Sequence, residues 1–269
     1  MATIDKALTL LSCFTPEQPS MKLTDLARLS GMNKAGVFRY LSGLSRAGLI
    51  EQDEATRHYR LGPEIVRLAQ VRDATVPIRR WMREILSGIT ETTGETCHAG
   101  LTAQGRLFTY MVNESQQSLQ VRIDPGMDLP YHATASGQIF LAFASDDVVK
   151  AKLDGSLPSF TENTITDPQR LKSRLQAFRG QGYSVSEGGV DTDVISVAAA
   201  FFDAGAQPVG TIAIQAPAAR MTDDTINSHG RLLCLISAEA TRQYGGLMPV
   251  NFPQTVPDDA FRPHRQART

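Results

Sequence analysis

The chain has 269 residues, 42% hydrophobic and 20% charged, the composition of a globular protein long enough for two domains. A formal net charge of -1 excludes a surface coated in positive charge, so any nucleic-acid footprint has to be local. No apolar run reaches the roughly 18 residues of a membrane span, the N-terminus does not read as a secretory signal, and three scattered cysteines exclude a disulfide framework; the expectation is a cytoplasmic protein with no membrane partner.

In chain order, Ile4, Leu8, Leu11 and Cys13-Phe14 fall at helical spacing. After a break over Pro16 to Ser20, Thr24 reads as the cap of a short helix from Asp25 to Leu29. Ser30-Gly31-Met32 makes a tight turn, and Asn33 is an N-cap for a third helix that runs to Arg46-Ala47-Gly48. Leu49 to Gln52 and His58 to Gly62 flank a polar turn and read as a β-hairpin. Three helices and a hairpin are the order of a winged helix-turn-helix. From Pro63 to Glu95 the pattern is helical again. One helix holds Ile65, Leu68 and Ala69; a second, after Pro77, holds Ile78, Trp81, Met82, Ile85, Leu86 and Ile89. Trp81, the single tryptophan, is expected to pack between domains or subunits.

The remainder alternates strands and helices. Thr96 to Leu101 and Leu107 to Asn113 form a hairpin, and Leu119 to Ile123 reads as a further strand. Helices are expected over Ala135 to Phe143, after Asp146-Asp147, over Pro168 to Gly180 and over Asp223 to Tyr244. Tyr183 to Glu187, Ser196 to Phe202 and Val209 to Gln215 read as strands. The class is α+β, helices packed on an antiparallel sheet. Beyond Gly246, prolines among polar residues read as a disordered tail.

The helix-turn-helix can be tested against physical requirements. Two close helices need a small residue, supplied by Ala27; the turn needs a residue that tolerates positive φ, supplied by Gly31; the second helix needs an apolar anchor, supplied by Val37. That register turns Asn33, Lys34, Ala35, Gly36 and Arg39 toward a DNA groove, with Arg46 further along. Arg57, His58 and Arg60 suit a wing over the phosphate backbone. Lys34 and Arg39 alone would be an ordinary solvated face; the turn register and the wing together favour DNA.

These residues resemble the IclR-type family of bacterial regulators over nearly all of residues 3–246. The resemblance rests on Leu26-Ala27-Arg28, Gly31-Met32-Asn33-Lys34, Arg39-Tyr40-Leu41 and Tyr59-Arg60-Leu61-Gly62 in the first half. In the second half it rests on Thr93-Gly94-Glu95-Thr96, His132-Ala133-Thr134-Ala135-Ser136-Gly137 and Val197 to Asp203. It implies a winged helix-turn-helix domain (1–62), a helical linker (63–94) and a GAF-like effector-binding domain (95–246), with 247–269 as the tail. It further implies a homodimer or dimer of dimers on a palindromic operator in double-stranded DNA. The implied role is regulation of a catabolic operon, as a repressor ahead of an activator, under control of a small organic or aromatic acid. Carried over by position, the effector pocket comprises Ala135, Ser136, Ser186, Val194, Ser196, Ala213 and Gln215, with Leu129 on an apolar side. Ser196 stands where many members have cysteine, and Ala213 and Gln215 replace a frequent pair of serines, which points away from a small oxoacid toward a larger or aromatic effector.

The pocket has a physical rationale beside the resemblance. Ser136 at a helix N-terminus, among free backbone N–H groups, suits a carboxylate. Ser186, Ser196 and Gln215 offer orienting hydrogen bonds, and Met111, Leu129 and Val194 offer apolar walls. His98 is a further expected contact, whereas His132 reads as a structural hydrogen-bonder. An enzyme of the C-terminal domain is a rival, but adjacent Cys97 and His98 on a strand point to opposite faces and cannot be partners. No catalytic residue, metal-ligand spacing or cofactor motif is read. An effector-independent DNA-binder is the other rival; a large second domain with a polar-lined pocket speaks against it.

Overall fold

The computed structural model describes residues 3–16, 18–75 and 78–253. The architecture is α+β, and the chain divides into two compact units, Met1–Pro77 and Ile78–Thr269.

In the first unit, α1 (Thr3–Leu11), α2 (Leu23–Ser30) and α3 (Lys34–Arg46) pack around Leu10, Leu26, Val37 and Leu41, all fully buried. A three-stranded antiparallel sheet completes the unit, with β1 (Ser20–Met21) and β2 (Ile50–Gln52) on either side of β3 (Tyr59–Leu61). The hairpin follows from the sequence pattern. The two-residue β1 does not, because it is too short to show alternation and lies at the end of the segment read as a break. Thr24 is not the cap of α2: the helix begins at Leu23, and Lys22 holds the N-cap position without a side-chain hydrogen bond. Gly31 ends α2 in the left-handed region at φ +67°, as the turn requires. Gly62 answers a close approach, since a Cβ there would lie 2.3 Å from the Gly48 carbonyl oxygen. Its N–H donates to the Leu49 carbonyl, sealing the hairpin against the turn after α3. Helix α4 (Pro63–Thr75) closes the unit and leaves Val66, Leu68 and Val71 exposed.

The second unit is a three-layer sandwich. Its antiparallel sheet runs β5 (Arg106–Asn113), β4 (Thr96–Ala103), β8 (Pro208–Pro217), β7 (Val194–Phe202), β6 (Ser184–Glu187). Helices α5 (Ile78–Thr93) and α9 (Asp223–Tyr244) cover one face; α6 (Ala135–Phe143) and α8 (Pro168–Gln181) cover the other, with α7 (Asp146–Leu153) between α6 and α8 in the chain. Side-chain alternation sorts the strands: Cys97, Ala99, Val197, Phe201, Ile212 and Ile214 face α5 and α9, while Ala198, Ala200 and Ala213 face α6. Those three alanines let α6 lie close to the sheet, and every residue of α6 is buried.

Three expectations are corrected here. Leu119 to Ile123 is not a strand: the Val121 carbonyl accepts from Thr96 Oγ1 and the Leu119 carbonyl from Arg220, so side chains take the groups a ladder would use. Trp81 packs inside the second unit, its ring edge-on to Phe201 at 6.1 Å. The tail begins in order, since Leu247 N donates to the Asp203 carbonyl and Phe252 is buried against Phe143 and Phe202. Residues 254–269 lie outside the described residues.

Candidate functional site

Helix α3 starts on Asn33, whose Oδ1 accepts from the Gly36 N–H at 2.8 Å. Val37, Tyr40, Leu41 and Leu44 bury one face. Helical geometry turns Ala35, Arg39, Ser42 and Arg46 to the opposite side, flanked by Lys34 and Phe38. Asn33, Lys34, Ala35, Arg39 and Arg46 are exposed. Gly36 is half-buried against the cap, where a Cβ would meet Asn33 Oδ1 at 3.1 Å, so its bareness serves the helix start as well as the outer face. Phe38, 56% exposed, and Ser42 are additions that the turn register alone did not name. Arg39 lies over the Tyr40 ring at 5.2 Å and donates to the Tyr40 hydroxyl.

In the wing, Asp53 ties the turn by accepting from the Thr56 N–H and hydroxyl, which holds its carboxyl below the usual range. Arg57 follows at φ +60° with its side chain exposed, and half-buried His58 lies 3.5 Å from Ser20 Oγ. Ion pairing separates the cations of this unit. Arg60 pairs with Glu51 at 2.5 Å and Arg28 with Asp25 at 3.7 Å. Among the described residues Lys34, Arg39, Arg46 and Arg57 have no acidic partner. Arg60, expected in the wing's DNA-facing set, therefore shares its charge with Glu51 in an exposed surface pair.

In the second unit, sheet register builds a polar row that no local pattern encodes: Ser186 lies beside Ser196, Ser196 beside Gln215, and Gln215 beside Thr96. The parallel row two residues on is Ser184, Ala198, Ala213 and His98. Both face α6. Thr134 caps α6 by accepting from the Gly137 N–H at 2.9 Å, which sets Ala135 and Ser136, each 1% exposed, against the sheet. Ser136 Oγ meets His98 Nε2 at 3.2 Å, while His98 Nδ1 has no partner among the described residues. Burial pushes the His98 pKa down to about 4, so the imidazole is neutral at neutral pH. Ser184 Oγ and Ser186 Oγ donate to the carbonyls of Ala135 and Ala133, fastening β6 to the start of α6. Val194 sits half-buried at the start of β7, two residues before Ser196 and on the same face.

Of the expected wall residues, Leu129 packs with Leu107, Phe140 and Ala144 and lies over the β4 face that His98 shares, where a Cβ on Gly100 would come within 3.0 Å of its Cδ1; Met111 is elsewhere. Met111 faces the α5 side, because a bulge between Ala99 and Gly100 pairs Met111 with Ala99 and Val112 with His98. Ser186 lines a cavity of about 280 Å³ between α6, α8 and β6; Met111 lines a different one, of about 450 Å³, beside Arg83 and Leu86. Cys97 points away from His98, its Sγ on the Leu86 carbonyl, and burial raises its thiol to about 12. Asp191 and Asp193 form a turn in which Asp191 Oδ1 accepts from the Asp193 N–H.

Residues 3–54 match the IclR helix-turn-helix domain, and residues 73–240 match the bacterial transcriptional regulator IclR C-terminal domain. The transcriptional repressor IclR of Escherichia coli strain K12 is 26% identical over 248 residues, 91% of this chain and 90% of that protein. The acetate operon repressor of Salmonella typhimurium is 25% identical over 91% of this chain and 90% of its own length. A crystal structure from Silicibacter sp. TM1040, assigned as an IclR transcriptional regulator, superposes with a TM-score of 0.91 at 37% identity, covering 94% of this chain and 100% of that one. An IclR homolog from Microbacterium hydrocarbonoxydans, complexed with 4-hydroxybenzoate, shares the fold at a TM-score of 0.75 and 17% identity, over 90% of this chain and 99% of that one.

Proposed function

This chain belongs to the IclR family of bacterial transcriptional regulators, and from that membership we propose a DNA-binding repressor of a catabolic operon, working in the cytoplasm, that performs no chemistry of its own and is controlled by a small organic or aromatic acid. The observation that carries the DNA half is the outer face of α3, where Lys34, Arg39 and Arg46 stand exposed with no acidic partner among the described residues, while the other face anchors the fold. In this reading Asn33, Lys34, Ala35, Gly36, Arg39 and Arg46 enter the major groove, and Arg57 and His58 lie on the backbone. Two copies bind a palindromic operator, as a dimer or a dimer of dimers. Exposed Ile4 and Leu8 on α1, and Val66, Leu68 and Val71 on α4, are apolar surface that a second copy would cover.

The acid binds in residues 95–246, near Ala135, Ser136 and His98 and the row of Ser186, Ser196 and Gln215, with Val194 at its edge. Its binding changes the spacing of the two winged heads (residues 1–62), through 63–94, across major grooves about 34–36 Å apart. Such coupling is typically about 1–3 kcal/mol. The test is fluorescence anisotropy on the intergenic DNA beside the gene. Arg39→Ala should weaken binding by about 1–3 kcal/mol, and affinity should fall steeply with salt. If Lys34→Ala, Arg39→Ala and Arg46→Ala all bind as the parent chain does, the outer face of α3 is not the reading surface.

A further inference from the structure

We propose that the cavity between α6, α8 and β6 selects the effector, and that it takes a small carboxylic acid bearing a hydroxyl or ammonium donor at its far end. The carboxylate sits on Arg170 and Arg174, and the donor on Gln138 Oε1. The inference rests on the effector reading above, narrows it to one ligand chemistry, and moves the acid from the row beside His98 into the neighbouring cavity, which shares Ser186 with that row.

The floor of the cavity offers acceptors. Gln138 is 3% exposed, and its Nε2 donates to the His132 carbonyl at 2.7 Å. A carbonyl can only accept, so the amide orientation is fixed and Oε1 is left as an acceptor; among the described residues it has no partner. Ser186 has spent its one hydroxyl hydrogen on the Ala133 carbonyl, so it too can only accept from a ligand. Two buried acceptors repel a carboxylate and call for an N–H or O–H.

The outer wall is the complement. Arg170 and Arg174 lie one turn apart on α8, lining the same cavity, and neither has an acidic partner among the described residues. Arg174 is held in place by the Val185 carbonyl at 3.1 Å and the Phe178 ring at 5.2 Å, so its guanidinium is set before a ligand arrives. Glu162 and Glu187 also line the cavity and cancel the arginine charge overall, which favours a ligand with both ends over a bare anion. About 280 Å³ lies at the small end of ligand sites.

Isothermal titration of the full chain with two matched triads tests this: propionate, 3-hydroxypropionate and β-alanine; benzoate, 4-hydroxybenzoate and 4-(aminomethyl)benzoate. At least one hydroxyl or ammonium acid should bind about tenfold tighter than its unsubstituted parent. Which substituted member wins identifies the donor. Gln138→Met should abolish that preference and leave the parent acid's Kd within about twofold. Arg170→Ala, at an exposed site that endangers folding less, should weaken the preferred acid by about tenfold. Substituted acids binding no tighter than their parents, a preference that survives Gln138→Met, or Arg170→Ala binding unchanged would each overturn the proposal. Operator release measured on the same samples separates the two readings. Acids that bind alike and release DNA leave the effector reading standing without this one, whereas no binding and no release in either triad removes both.

Discussion

Helix α3 starts on Asn33 and α6 on Thr134; in each the cap oxygen accepts from the N–H of a glycine three residues on, Gly36 and Gly137. Locally the two starts are the same device. Around them nothing matches. Lys34 and Ala35 are exposed, whereas Ala135 and Ser136 are each 1% exposed. A Cβ on Gly36 would press only on the tip of Asn33, with the Tyr40 ring at ordinary contact, but a Cβ on Gly137 would come within 2.4 Å of Tyr131 Cα, where the chain passes against α6. A capping signal thus announces a helix end with its free amides. Whether those amides meet a phosphate in solvent or a group inside the protein is decided by tertiary neighbours.

The largest consequence of the buried start falls on His98. Burial lowers its pKa from the ordinary 6.5 to about 4. As pH falls through 6.5 the unfolded chain takes up a proton that the folded chain refuses until about pH 4. The stability this group contributes is therefore complete above 6.5 and is lost between 6.5 and 4, roughly 3 kcal/mol in all. Urea unfolding from pH 7 to pH 4.5 should show this loss, and His98→Asn should flatten it. An equally steep loss in the variant would mean that the imidazole already titrates normally and that the ground beneath α6 is wetter than its burial implies.

A matched pair of glycine substitutions sharpens the same contrast. Gly137→Ala should cost about 2 kcal/mol, because the new methyl group meets backbone that cannot step aside. Gly36→Ala should change stability by less than about 0.5 kcal/mol, since the helix-propensity gain offsets a small displacement of the Asn33 side chain. Thermal unfolding of both variants checks the ordering. Equal losses would show that the two starts are packed alike.

The contrast also explains what could be read from the chain. The bounds of α6 and α9 are legible because Thr134 and Thr222 cap them, and the outer face of α3 is legible because its apolar period fixes which side is buried. The effector side is only half legible. Ser186, Ser196 and Gln215 share a row through strand pairing across 30 residues of chain, which alternation within one strand cannot reveal. Met111 is the clearest case. Counting back from the Gln104-Gly105 turn places it opposite His98, and the bulge at Gly100 adds one residue to β5 and turns it to the other face. Arg170 and Arg174 did carry a signal, two cations four residues apart on one helix, but what they face depends on β6 coming alongside α8.

The smallest effect separates the two duties of Asn33. Asn33→Ala removes the oxygen that holds the Gly36 amide and should cost about 1 kcal/mol of stability. DNA affinity would then change for two entangled reasons, a frayed helix start and a lost contact. Asn33→Asp disentangles them. Aspartate caps as well as asparagine and its charge suits the positive end of the helix, so stability should stay within a few tenths of a kcal/mol or rise. On DNA the same charge faces phosphate and the acceptor edges of guanine, so affinity should fall while the fold holds. Equal operator affinity for Asn33→Asp and the parent chain would leave Asn33 as a cap alone, and would confine any DNA contact to the part of α3 beyond its first turn.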